Sequence, residues 1–163
     1  MFAHAFAYKQ WADQRTLQAV ATLDATAQSA ALAFVCQQLN HMLIVEELFR
    51  ARLLGLPAPH AATNTVSLPA LDELQSRLHA SDNWFADYAT TLAPASRDEI
   101  IRFVFADGQA GSMSREEILF HIINHGTYHR GAIGHALEQA GAARPADTYT
   151  LYIHAAEPQR RGD

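Results

Sequence analysis

The stretch from Ser114 to Gly141 constrains this chain most. It reads as one long helix, opened by Ser114 and Glu117 in the spacing of a capping box. Along it Ile118, Ile122, His125, His129, Ala132 and Ala136 recur by fours and threes, the rhythm of a helix packed inside a bundle. Two of those seam positions are imidazoles. His125 and His129 lie one turn apart on one face, close enough to hold a single ion. A buried neutral imidazole carries a donor and an acceptor that both need partners, and a metal ion meets that need. An H-x-x-x-H spacing arises easily in a chain with nine histidines, so the weight rests on the seam and on a third histidine elsewhere.

The chain before this helix predicts three more. The first runs from about His4 to Thr22, with Phe2, Phe6, Leu17 and Val20 apolar and Lys9, Gln10, Asp13 and Gln14 on a polar side. Tyr8, Trp11 and Arg15 form a stripe along it that reads as core and core-edge packing, or as a pocket wall if the site opens on this helix. The second runs from about Ser29 to Leu54 and stops at Gly55, with Pro57 and Pro59 beyond. Its seam, Phe34, Gln38, His41, Val45 and Leu48, puts His41 in a core-facing slot, while Glu46 and Glu47 read as solvated or as backing groups. Residues 55–68 read as a loop, with His60 exposed. The third helix extends from about Pro69 to Leu92 on Leu71, Leu74, Leu78, Phe85 and Tyr88, with His79 and Asp82 on its surface.

The period then changes. Ile100 to Phe105 is β-branched and aromatic, and Asp107-Gly108 signals a turn, so a short hairpin with a partner near Gly111–Met113 is expected. After Gly141, an apolar patch from Tyr149 to Ile153 is expected to lie back on the bundle, and the last residues to fray. The fold class is therefore all-α: a four-helix bundle with a short β-hairpin or extended arm before the last helix, in a single domain over residues 1–163.

Composition narrows the function. The net charge of −5, with no basic block, argues against nucleic acid or an anionic membrane as the main partner. One cysteine, Cys36, excludes an internal disulfide framework and reads as a buried, inert thiol. No stretch approaches a membrane span, and the N-terminus lacks a secretory signature, so the cytoplasm is expected. In a bundle core, His41 from one helix and His125 with His129 from another suit one divalent transition ion, zinc, nickel, iron or cobalt, and suit magnesium or calcium badly. Three protein ligands leave an open position, the mark of a catalytic site. Gln38, Ile122 and Gly126 stand three residues before these histidines, so the Glu-x-x-His of di-iron bundles is missing.

Tyr8-Lys9-Gln10-Trp11-Ala12, Leu39-Asn40-His41 with Glu46, and above all Asn124-His125-Gly126-Thr127-Tyr128-His129-Arg130-Gly131, followed by Gly141 and Asp147, make the chain resemble the DinB family over nearly its whole length. The resemblance implies an up-down-down-up order of the four helices, one divalent ion on His41, His125 and His129, and a homodimer. It also implies a thiol-dependent S-transferase acting on small electrophiles, with a small-molecule thiol as partner. Ala132 departs from the family, which often has Gln there. A metal-dependent hydrolase and a non-catalytic metal-binding or stress-response protein stay open beside that activity. His121, about 60° off the seam, reads as a rim residue. His135 reads as surface, and Tyr128 and Arg130 as outside the seam, with Arg130 paired to an acid of a neighbouring helix or, less simply, holding a substrate carboxylate.

Overall fold

A computed structural model of the chain describes residues 1–162. Four long helices, α1 (Phe2–Val20), α2 (Ser29–Leu54), α3 (Leu71–Thr91) and α4 (Arg115–Gln139), carry the core. An antiparallel hairpin of β1 (Ile100–Val104) and β2 (Ala110–Ser114) precedes α4, and a short helix α5 (Tyr149–Ala156) follows it. Each of α1 and α2 packs against both α3 and α4. No helix among the described residues is long and apolar enough to cross a membrane.

Local signals fix the helix ends. Ser114 accepts from the Glu117 amide while the Glu117 carboxylate takes the Ser114 amide, the reciprocal box expected. Gly55 ends α2 at φ 67°, where a side chain would strain the backbone. The third helix starts at Leu71, two residues after the expected Pro69. The hairpin pairs Phe103 with Gly111 and Ile101 with Met113 across the turn at Gly108. Its inner face (Ile101, Phe103, Met113) packs on the bundle, while Ile100 and Val104 face outward.

The apolar core is not continuous. One cluster joins Leu17, Val20, Val35, Leu39, Leu74, Leu78, Ile133 and Leu137. A second joins Phe6, Phe49, Leu53, Phe85, Ile118 and Ile122. Between them along the helices lies a layer of buried charge. On α1, Phe6, Lys9, Asp13, Thr16 and Val20 step by threes and fours and are all buried. On α2 the buried line is Val35, Leu39, Met42, Glu46, Phe49 and Leu53, one position round from the expected seam, so Phe34 is exposed and Glu46 is 1% exposed. Asp82 on α3 and Arg130 on α4 complete the layer at 3% exposed each. Lys9, Asp13 and Asp82, expected on polar or surface sides, and Glu46, expected as solvated or backing, are buried here; Arg130, expected outside the seam and paired to an acid, is paired so but buried. The correction has a physical reason: these groups satisfy one another, which permits their burial.

Lys9 is the hub. Its Nζ lies 2.8 Å from Asp13 Oδ2, 2.8 Å from Glu46 Oε1 and 2.6 Å from Asp82 Oδ1. Burial alone would lower its pKa, but the three carboxylates hold it well above the ordinary lysine range. Arg130 bonds Asp13 at 3.0 Å and Asp147 at 2.8 Å, as its acid-pairing role requires. Ser81 donates to Glu46. Burial would raise the Asp13 carboxyl, yet Lys9 and Arg130 hold it below its usual range. Asp82 is pushed up to about 8 by burial, with Asp13 and Glu46 adding to the rise against the pull of Lys9. The layer therefore makes Asp82 release its proton later than a free carboxyl would. Outside the layer, Glu47 bonds Arg77 and a half-buried His60 that was expected in solvent.

Two variants test this charge arithmetic by urea unfolding. Asp13→Asn removes a charge that two cations share and should cost about 3 kcal/mol or more. Asp82→Asn should cost far less. In the wild type the folded state keeps the Asp82 proton between the unfolded value of 3.8 and about 8. Its contribution to stability thus falls as pH rises through that window, and Asp82→Asn should flatten this decline.

Candidate metal centre

His41 is carried by α2 and His125 and His129 by α4, two helices packed side by side. The structure brings the three together. His125 Nε2 lies 3.2 Å from His41 Nε2 and 3.1 Å from His129 Nε2. Ligand atoms of all three fall within 4.8 Å of one another, the only such group of three among the described residues. Two nitrogens bound to one tetrahedral zinc stand about 3.3 Å apart, so the spacing fits one ion.

Hydrogen bonds on the far side of the rings decide what the near side offers. His41 Nδ1–H donates to the Thr63 carbonyl at 2.9 Å, an oxygen that can only accept. His129 Nδ1–H donates to Gln38 Oε1 at 2.6 Å. With the proton on Nδ1, Nε2 of both rings is a bare lone pair. Both lone pairs aim at His125 Nε2, which can donate one proton to one of them. A cation at the centre relieves that conflict. Gln38, on the same α2 seam as His41, backs His129. Nothing in the sequence marked Thr63, because it acts through its main chain.

The two rings on α4 stay neutral. Burial lowers His125 to about 3, with His129, His121, His41 and Lys9 adding to the fall. Burial, then His41, brings His129 to about 4. Both rings keep their lone pairs far below pH 7. The charged layer lies directly behind: a Cβ at Gly126 would stand 3.1 Å from Arg130 Nη1 and 3.4 Å from Lys9 Cε. Gly126 lets α4 approach the layer closely while the flanking histidines turn to the ion position.

A cavity of about 360 Å³ opens beside the cluster, lined by His41 and His125 together with His121, Thr63, Phe49 and Arg52 among others. His121 stands on the rim, as its phase required, with its pKa lowered by burial and then by Arg52. Tyr8, Trp11 and Arg15 do not line this cavity; of the two readings of their stripe, the structure shows packing. Tyr8 donates to Asp147, its ring meets Tyr149 edge-on, and Trp11 packs on Tyr152. Arg15 lies over Trp11 and donates to the Ala146 carbonyl at 2.8 Å. The C-terminal segment, not a ligand pocket, covers that stripe. Arg130 is likewise held by Asp13 and Asp147 and is not free for a substrate.

Comparison with known proteins agrees with the geometry. Protein DinB of Bacillus subtilis (strain 168) is 54% identical over 37 residues, a stretch covering 23% of this chain and 22% of that protein. No solved structure matches. The family model described as the DinB family matches residues 1–161. With a three-histidine cluster compatible with metal binding on a helical fold, and that match along almost all of its length, the chain belongs to the DinB family.

Proposed function

We propose that this is a cytoplasmic, homodimeric protein that binds one divalent transition ion, zinc, nickel or iron, through His41, His125 and His129, and transfers a small thiol onto small electrophiles. The observation that carries this reading is the convergence of three Nε2 atoms, two of them fixed as lone pairs by Thr63 and Gln38. The proposal includes the up-down-down-up order. The partition of the core supports it: the C-terminal halves of α1 and α4 share one cluster with the N-terminal halves of α2 and α3. Exposed Phe120 and Tyr128 on α4 give a second copy an aromatic face to cover.

The cavity favours catalysis over a purely structural or storage site, because it gives a small molecule access to the edge of the cluster. An ion held there supplies Lewis acidity, which favours the ionised form of a bound thiol or water near neutral pH. The chain does the rest. His41 and His129 present pre-set lone pairs, so little reorganisation is needed on binding. Apolar walls from Val45, Leu48 and Phe49 exclude water. His121 lines the cavity as a neutral imidazole able to accept the proton a thiol gives up. Carbon–sulfur bond formation then needs no protein nucleophile: the thiolate sulfur attacks carbon, and the leaving group departs with the electron pair of its broken bond and takes up the proton that His121 accepted.

Four measurements test this. Elemental analysis of protein purified without an affinity tag should give one ion per chain, and none in His129→Ala; full occupancy in that variant rejects the ligand set. Saturating metal at about 100 times Kd should raise stability by about 2.7 kcal/mol over the chelated protein. Gln38→Leu, which frees the His129 tautomer, should weaken metal binding about 10- to 100-fold with the ligands intact. Turnover of a thiol with an electrophilic acceptor, lost on chelation, identifies the transferase; ester or amide hydrolysis without thiol identifies the hydrolase instead.

A further inference from the structure

The cavity beside the three histidines holds one positive charge that the fold leaves without a counter-ion. Arg52 lies on α2 eleven residues after His41, about 16 Å further along the axis and on nearly the same face. Side chains on a helix lean toward its N-terminus, so Arg52 reaches back into the space that His41 closes at the other end. Both residues line the cavity.

The guanidinium sits among aromatic rings. Its Cζ lies 4.6 Å from the ring centre of Phe49, 4.2 Å from Phe103 and 5.5 Å from Phe105. One hydrogen bond ties it down, from Nη2 to the Val104 carbonyl at 3.1 Å. Among the described residues it forms no ion pair with any acid, whereas Arg77, Arg115 and Arg130 each have one. No Asp or Glu lines the cavity. The Phe105 ring that walls this end can lie there because position 111 is glycine: a Cβ on Gly111 would stand 2.4 Å from the ring, nearer than any real contact. Burial pulls the Arg52 pKa down, yet an arginine stays charged near neutrality. Arg52 is half-exposed, and the N–H donors not bonded to Val104 are open to solvent or to a ligand entering the cavity.

We infer that Arg52 is a specificity-determining residue that receives the carboxylate of a small, otherwise apolar ligand whose other end lies at the histidine cluster. The ligand class is a monocarboxylate on an aliphatic or aromatic body. What happens at the histidine end rests on the metal-centre reading; capture of the carboxylate by Arg52 does not, so the two can fail separately.

The test uses metal-free protein, with hexanoate and hexanol as probes of equal length, and follows side-chain guanidinium and backbone NMR shifts. Hexanoate should shift the Arg52 Nε–H signal and bind about 10-fold or more tightly than hexanol, reflecting a charge-assisted hydrogen bond. Arg52→Met should lose that preference while its weak hexanol binding stays within about twofold, and Arg52→Lys should keep part of it. Because Arg52→Met also loosens the hairpin, the wild type's own selectivity and its weakening by salt serve as a control that needs no variant. Equal binding of the two probes by wild type, or equal loss of both in Arg52→Met, overturns the inference and leaves Arg52 as a staple between α2 and the hairpin.

Discussion

The ammonium of Lys9 holds the middle of the molecule. Three carboxylates from three helices close on it, and Arg130 shares one of them from the fourth. Any one partner alone would be costly to bury, and together they are tolerated. An all-apolar seam could slide by a heptad at small cost, but here a slip sets an ammonium or a carboxylate against leucine. The layer thus fixes the vertical register of four helices, with an apolar cluster on each side of it.

That register positions the metal centre. His41 and the His125–His129 pair come from different helices, so a shift of one turn between α2 and α4 would separate them by about 5 Å. Glu46 is five residues from His41, and Arg130 directly follows His129. Each helix is therefore anchored in the charged layer within about a turn and a half of its histidines. Gly126 makes the anchoring tight, since α4 has no side chain there to hold it away from Lys9. The stability of the fold and the geometry of the centre have the same source.

Much of this was legible in the residues. The helices, the capping box, the hairpin and its turn followed from periodicity and turn chemistry, and the three histidines were drawn together by their phase. The charged layer was not. Glu46 steps in phase with Leu39, Met42 and Phe49, and Asp13 with Phe6 and Val20, so a signal existed. Polarity had been read as exposure, although complementary charges on four helices can bury one another. The Tyr8–Trp11–Arg15 stripe packs, as its spacing suggests, but nothing local shows that the partner is α5 folding back over it. Arg52 shares the phase of His41, but a single arginine near a helix end carries no mark of its missing partner.

The two histidines with fixed protons are held by unlike means. Gln38 is a side chain, and one codon change can delete its oxygen. The acceptor for His41 is a main-chain oxygen at Thr63, which every residue type supplies. Substitutions in the loop between α2 and α3 can therefore accumulate with little effect on His41, while a change in loop length would withdraw the carbonyl altogether. One half of the centre is vulnerable to point mutation, and the other to insertion and deletion.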